Sequence, residues 1–153
     1  MAEDDKVSLG LLGNATGYLL RRAQLAVFED FGRRFVALDL TPAQFSTLLA
    51  IRENPGRRQS DIAAALGVQR PNFVALMDCF ERRGLATRVR SSEDRRANAL
   101  ELTQAGAALL DRAIAAQAGQ EAAIREAIGE TERRKLIETL EKLARLESNG
   151  GDH

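Results

Sequence analysis

Apolar residues recur every three or four positions from about Ser8 to Leu38, at Leu20, Ala23, Val27, Phe31, Phe35 and Leu38, which predicts a long first helix with one buried face. A second apolar set, Leu12, Ala15, Tyr18, Leu19, Leu25 and Phe28, covers more of that helix than one small core needs and predicts a partner chain. Thr41-Pro42-Ala43-Gln44 then reads as an N-cap, a first-turn proline and a capping-box glutamine. They open a helix from about Pro42 to Glu53, with Phe45, Leu48 and Leu49 inward, that Asn54-Pro55-Gly56 ends. Gln59 to Leu66 is a short amphipathic helix with Ile62, Ala63 and Leu66 inward and Gly67 where a left-handed cap belongs. Arg70-Pro71 starts the next helix, whose apolar face is Phe73, Leu76, Met77 and Phe80 and whose stop is Gly84. Two short helices joined through a glycine turn form a helix-turn-helix pattern.

After Gly84 the period changes from helical to alternating. Leu85 to Arg90 and Ala97 to Leu102 predict two strands of a hairpin, with Ser91-Ser92-Glu93-Asp94 as the polar loop between them. Thr103 caps an alanine-rich helix from about Gln104 to Ile128, with Leu109, Ala113, Ala116 and Ile124 inward. A break at Gly129-Glu130 precedes a last helix carrying Leu136, Ile137, Leu140, Leu143 and Ala144. The predicted fold is mainly α with a small β-wing. Its parts are an N-terminal dimerisation helix (1–40), a winged helix-turn-helix (41–102), C-terminal dimerisation helices (103–147) and a disordered tail (148–153).

Leu, Ile, Val and Phe supply about a quarter of the 153 residues, enough for one core. Lys plus Arg and Asp plus Glu are 22 each, so a uniformly basic coat is excluded and any basic patch is local. It is local: Arg52 to Arg96 holds ten Arg and no Lys against six acids, a net of +4, leaving −4 on the rest. That segment is the helix-turn-helix plus hairpin, where attraction to phosphates is the physical reason to concentrate arginine. Arg88, Arg90, Arg95 and Arg96 flank the hairpin tip with Ser91 and Ser92, a shape that suits a narrow minor groove beside a helix in the major groove. Asp94 is placed to hold Arg96 by a bidentate pair.

Other chemistries have little to stand on. The single Cys79 allows no internal disulfide, and one Cys with one His cannot build a structural metal site, so no cofactor or metal is expected. The only histidine is His153 on the tail, which gives no Ser-His pair. Gly10-Leu11-Leu12-Gly13 lacks the preceding strand of a phosphate loop, so no enzyme is expected. No apolar run is long enough to span a membrane, and the acidic start is unlike a secretory signal; the expected location is cytoplasmic.

The run Asp94-Arg95-Arg96-Ala97-Asn98-Ala99-Leu100-Glu101-Leu102-Thr103-Gln104-Ala105-Gly106 resembles the wing signature of the MarR family of bacterial winged-helix regulators. The order of elements is similar over about residues 8–147, including Thr41 to Phe45 and the Glu81-Arg82-Arg83-Gly84-Leu85 exit. The resemblance implies a homodimer with intertwined terminal helices that binds duplex DNA at a pseudo-palindromic operator. It implies that Arg96 enters the minor groove with Asp94 orienting it, and that Gln69, Arg70, Pro71, Asn72 and Phe73 begin the recognition helix. Gln59 and Ser60, which open the preceding helix, join this candidate set. Asn72 suits adenine and Arg70 guanine, while Gln69 can reach a base or a phosphate. Family members often carry Ser or Thr where Asn72 and Phe73 stand.

The family likeness also points to an effector cleft between the dimer helices and the DNA-binding lobe. Tyr18, Arg21 and Arg22 on the first helix and Phe45 and Leu49 on the second are the candidates, for a small aromatic acid or acyl thioester. Two alternatives remain: a helical interaction protein without DNA binding, and a redox-responsive regulator acting through Cys79. A scaffold has no reason to place four arginines around a hairpin tip.

Overall fold

The computed structural model describes residues 7–90 and 98–146. Helix α1 spans Thr16–Phe35, α2 Pro42–Glu53, α3 Gln59–Ala65 and α4 Arg70–Arg82. Strands β1 (Ala86–Arg90) and β2 (Asn98–Leu102) precede α5 (Gln104–Ile128) and α6 (Glu130–Ala144). The architecture is mainly helical with a two-stranded wing, as the periodicity predicts. The start of α2 carries both bonds of the capping box, Gln44 N–H to Thr41 Oγ1 at 3.2 Å and Thr41 N–H to Gln44 Oε1 at 3.0 Å. Gly67 and Gly84 take positive φ just past α3 and α4, where the chain reverses and a Cβ would be strained.

The first helix differs from the prediction. A short 3₁₀ helix, Gly10–Asn14, precedes α1, and another, Val36–Leu38, follows it. Gly10, Gly13 and Asn14 are weak helix formers, and Ala15 is extended, so the single run from Ser8 to Leu38 is interrupted. Of the expected inward stripe, only Phe31, Phe35 and Leu38 are buried; Leu20, Ala23 and Val27 stay exposed within one protomer. The C-terminal half of α1 therefore belongs to the lobe, and its N-terminal half projects from it.

The core gathers around Phe31, Phe35 and Phe45. Phe31 and Phe35 stack with ring centroids 3.6 Å apart, and Phe45 meets Phe35 edge-on at 5.3 Å. Leu48, Ile51, Ile62, Phe73, Met77, Phe80, Leu100, Leu110 and Ala113 complete it. On α5 the inward positions are Leu110 and Ala113 together with Gly106 and Gln120, whereas Leu109, Ala116 and Ile124 are only half-buried. Helix α6 buries no residue in the single chain, and Leu136, Ile137 and Leu140 are exposed like Leu19, Leu25 and Phe28 of α1. Among the described residues, no helix is long and apolar enough to cross a membrane.

The hairpin is antiparallel, pairing Ala86 with Leu102, Arg88 with Leu100 and Arg90 with Asn98. A bridge between Arg58 and Ala99 adds the α2–α3 connection to its edge, with Leu100 N–H donating to the Arg57 carbonyl at 3.0 Å. Where β2 ends, Thr103 Oγ1 donates to the Gly84 carbonyl at 2.6 Å and accepts from Gly106 N–H at 3.0 Å. Helix α5 passes so close to the preceding corner that a Cβ on Gly106 would overlap the Leu85 carbonyl oxygen. The Thr-x-x-Gly spacing is thus a cap and a close approach in one turn.

The obstacle at Gly106 is backbone and cannot rotate away. Gly106→Ala is expected to destabilise the fold by about 2 kcal/mol, within the usual range for overpacking. That corresponds to a melting temperature roughly 4–8 °C lower for a chain of this size. Thermal unfolding followed by circular dichroism checks this, and an unchanged or higher melting temperature would show that the corner relaxes freely.

Candidate nucleic-acid interface

Helices α3 and α4 and the base of the wing enclose an open groove of about 720 Å³, lined by Arg58, Gln59, Ser60, Gln69, Arg70 and Asn98 among others. Its floor is set by the packing of α4: Phe73, Met77 and Phe80 point into the core, so the first turn of that helix is presented outward. Gln69 occupies the N-cap without a side-chain bond to the helix, and Pro71 stands in the first turn. The N–H groups of Arg70 and Asn72 therefore lack an intrahelical partner and, with the helix dipole, favour an anion at this end. Gln69, Arg70, Pro71, Asn72 and Ser60 are exposed.

Phe73 does not join them. It is 0% exposed and lines the groove only as part of the buried apolar face of α4 that the three- and four-residue spacing identifies. Asn72 and Cys79 lie on the same side of α4, nearly two helical turns apart; at Cys79 that side meets α2, where Gln44 Nε2 lies 3.6 Å from the half-buried sulfur. Val74, Asp78 and Glu81 occupy the other flank, toward the wing.

That second flank corrects the reading of Arg88 as a projecting cation. Its side chain is only 18% exposed and turns back against the lobe. Nε donates to Gln59 Oε1 at 2.9 Å, Nη1 to Glu81 Oε2 at 2.6 Å, and Nη2 to Asp78 Oδ1 at 2.8 Å and the Val74 carbonyl at 3.3 Å. Glu81 also accepts from the Arg88 backbone N–H at 3.1 Å. The cause is strand alternation: Arg88 shares a face with buried Ala86, so it points inward. Arg90, at the end of β1, is exposed. Ser91, Ser92, Asp94, Arg95 and Arg96 lie outside the described residues.

Sequence reasoning passed over Arg58 and Asn98, which line the groove beside Ser60. The signal for Arg58 was its position immediately before α3, at the N-cap. The five effector candidates do not converge within one protomer. Tyr18 precedes Phe31 by 13 residues on α1, a separation of about 20 Å along the axis, whereas Phe45 packs directly on Phe31 at 6.2 Å. Phe45 is core, Leu49 is half-buried, and Tyr18, Arg21 and Arg22 form a separate surface in which Arg22 Nη1 donates to Tyr18 Oη at 3.3 Å.

Comparison with known proteins places this geometry. Residues 38–97 match the model of the MarR family. A Thauera aromatica protein described as a transcriptional regulator for the hcr operon is 34% identical over 140 residues, covering 91% of this chain and 84% of that protein. The transcriptional repressor CouR bound to a 23-mer DNA duplex superimposes with a TM-score of 0.88 at 46% identity, over 92% of this chain and 100% of that one. CouR bound to p-coumaroyl-CoA superimposes with a TM-score of 0.85 at 45% identity, over 92% and 99%. With such relatives along nearly its whole length and a groove built from a helix-turn-helix and a wing, the chain belongs to the MarR family of DNA-binding winged-helix transcriptional regulators.

Proposed function

We propose that the protein is a homodimeric repressor that holds a pseudo-palindromic operator and releases it when an aromatic acyl-CoA thioester binds. The observation that carries the reading is the outward first turn of α4 at the edge of the groove, in a chain that overlays CouR in its DNA-bound form. In this reading residues 41–102 bind DNA, while α1, α5 and α6 form the dimer. The exposed apolar side chains of α1 and α6 support that division, because a second copy would cover them. Two recognition helices related by a twofold axis address half-sites about one helical turn, roughly 10 base pairs, apart.

Within the interface, Asn72 and Arg70 read base edges, Gln69 and Ser60 touch phosphate or base, and Arg58 and Arg90 meet the backbone. The wing residues Ser91, Ser92, Asp94, Arg95 and Arg96 belong to this proposal on their sequence pattern alone. Asn72→Ala is expected to weaken binding to the preferred site by about 1–3 kcal/mol and to relax the preference at one position in a selection from randomised duplexes. Arg90→Ala should weaken binding to all sequences alike and flatten the dependence of log affinity on log salt by about one. Fluorescence anisotropy across a salt series separates the two. A selected motif left unchanged by Asn72→Ala would remove that residue from the major groove.

The thioester is favoured over a free aromatic acid because the relative with p-coumaroyl-CoA bound shares 45% identity over 92% of this chain. An effector releases DNA only through tighter binding to the non-binding conformer, and a tenfold loss of operator affinity needs about 1.4 kcal/mol of such preference. By reciprocity the operator must weaken thioester binding by the same factor. Calorimetry with p-coumaroyl-CoA, p-coumarate and CoA, each with and without operator, is expected to give this reciprocal loss for the thioester only. Equal thioester affinity in both states would exclude it as the releasing ligand.

A further inference from the structure

Arg88 sits where three parts of the DNA-binding apparatus meet. Its guanidinium and backbone bind acceptors on the first turn of α3 (Gln59) and at three positions of α4 (Val74, Asp78, Glu81), while its own strand carries the wing. We propose that Arg88 is a positioning residue that locks the wing to the recognition helix, so that both reach DNA with their separation already set. This inference rests on the DNA-binding reading above and adds a residue that acts on affinity without touching DNA.

The charge arrangement argues for geometry over phosphate attraction. One guanidinium shared by two carboxylates leaves a net negative cluster between α4 and the wing, the two elements that the proposed reading brings to a polyanion. Asp78 and Glu81 stay 48% and 38% exposed, so their charge is not hidden. Electrostatics alone would favour neutral residues there. What the carboxylates supply is a set of acceptors matched to a planar fork of donors, which a lysine ammonium cannot reproduce. A ribbon fixed before binding loses less freedom on association than one that must be ordered by DNA. The backbone N–H of Arg88 on Glu81 Oε1 holds the strand to α4 whatever the rotamer of the Arg88 side chain.

The test uses a duplex recovered by the wild-type protein from a randomised pool, with anisotropy titrations over a salt series. Asp78→Asn combined with Glu81→Gln removes two negative charges near DNA, so a purely electrostatic role predicts tighter binding, whereas the positioning role predicts several-fold weaker binding. Arg88→Lys keeps the charge and is expected to weaken binding about tenfold, and Arg88→Gln to weaken it with the wild-type salt slope; a phosphate contact would be rescued by lysine and would lose about one unit of slope on glutamine. Cooperative melting of each variant is checked first, and Asp78→Asn alone replaces the pair if the pair does not fold. Tighter or unchanged binding by the carboxamide variant, or full rescue by lysine, overturns the proposal. A wild-type protein that recovers no duplex refutes the DNA-binding reading instead.

Discussion

Where α5 leaves the wing, position 106 admits no side chain, and four elements depend on that closeness. Gly84 ends α4, Leu85 opens the hairpin, Thr103 closes it, and Gly106 lets α5 lie on the Leu85 carbonyl. Thr103 N–H also donates to that carbonyl at 3.1 Å, so one backbone group is used by the hairpin while the helix seals it from above. Because α5 runs from this corner to the exposed end of the molecule, the corner fixes how the outer helices are mounted on the lobe. The wing and the mount share a single turn.

The net charge of the central segment overstates what reaches solvent. Three of its ten arginines are internal ties: Arg52 holds Asp111 of α5 at 3.0 Å, Arg83 donates to the Asp39 and Leu38 carbonyls at 2.8 and 3.3 Å, and Arg88 binds α3 and α4. Arg83 satisfies carbonyls at the end of the 3₁₀ turn after α1, where Asp39 adopts a left-handed conformation. Arg57, Arg70, Arg82 and Arg90 are exposed on the lobe. The arginine-rich composition therefore serves two purposes, and only exposure tells them apart.

Signals confined to one turn were legible in the sequence. The capping box at Thr41, the glycines at 67 and 84, and the Thr103 cap located α2, α3, α4 and α5 because each acts through bonds within three or four residues. The inward turn of Arg88 was also available, since alternation puts it on the face of Ala86, but charge count weighted it toward solvent. Phe73 was assigned both to the core and to DNA, and helical spacing alone decides for the core. The break before α1 is written in Gly10, Gly13 and Asn14, although the apolar periodicity runs through it; the distance between Tyr18 and Phe45 is not legible. That distance depends on how far a helix runs beyond the lobe, which periodicity does not report.

The joint between lobe and outer helices determines how little an effector has to do. Gln120 Nε2, buried on α5, donates to the Val27 carbonyl of α1 at 2.8 Å. One residue earlier Gly119 leaves space that Arg34 fills, where a Cβ would come within 2.8 Å of its guanidinium. Asp30 holds Arg34 at 2.7 Å, and this contact keeps the Asp30 carboxyl below the usual carboxylate range. These contacts tie α1 to α5 at two adjacent positions of α5. Helix α5 has 25 residues and is about 38 Å long, so a tilt of about 5° at one end displaces the other by about 3 Å. Base-edge hydrogen bonds span only about 2.7–3.2 Å between heavy atoms, so such a displacement breaks them without unfolding α4. In the proposed dimer, an effector that repacks the outer helices by a few degrees therefore separates the two recognition helices from their half-sites while each lobe stays intact.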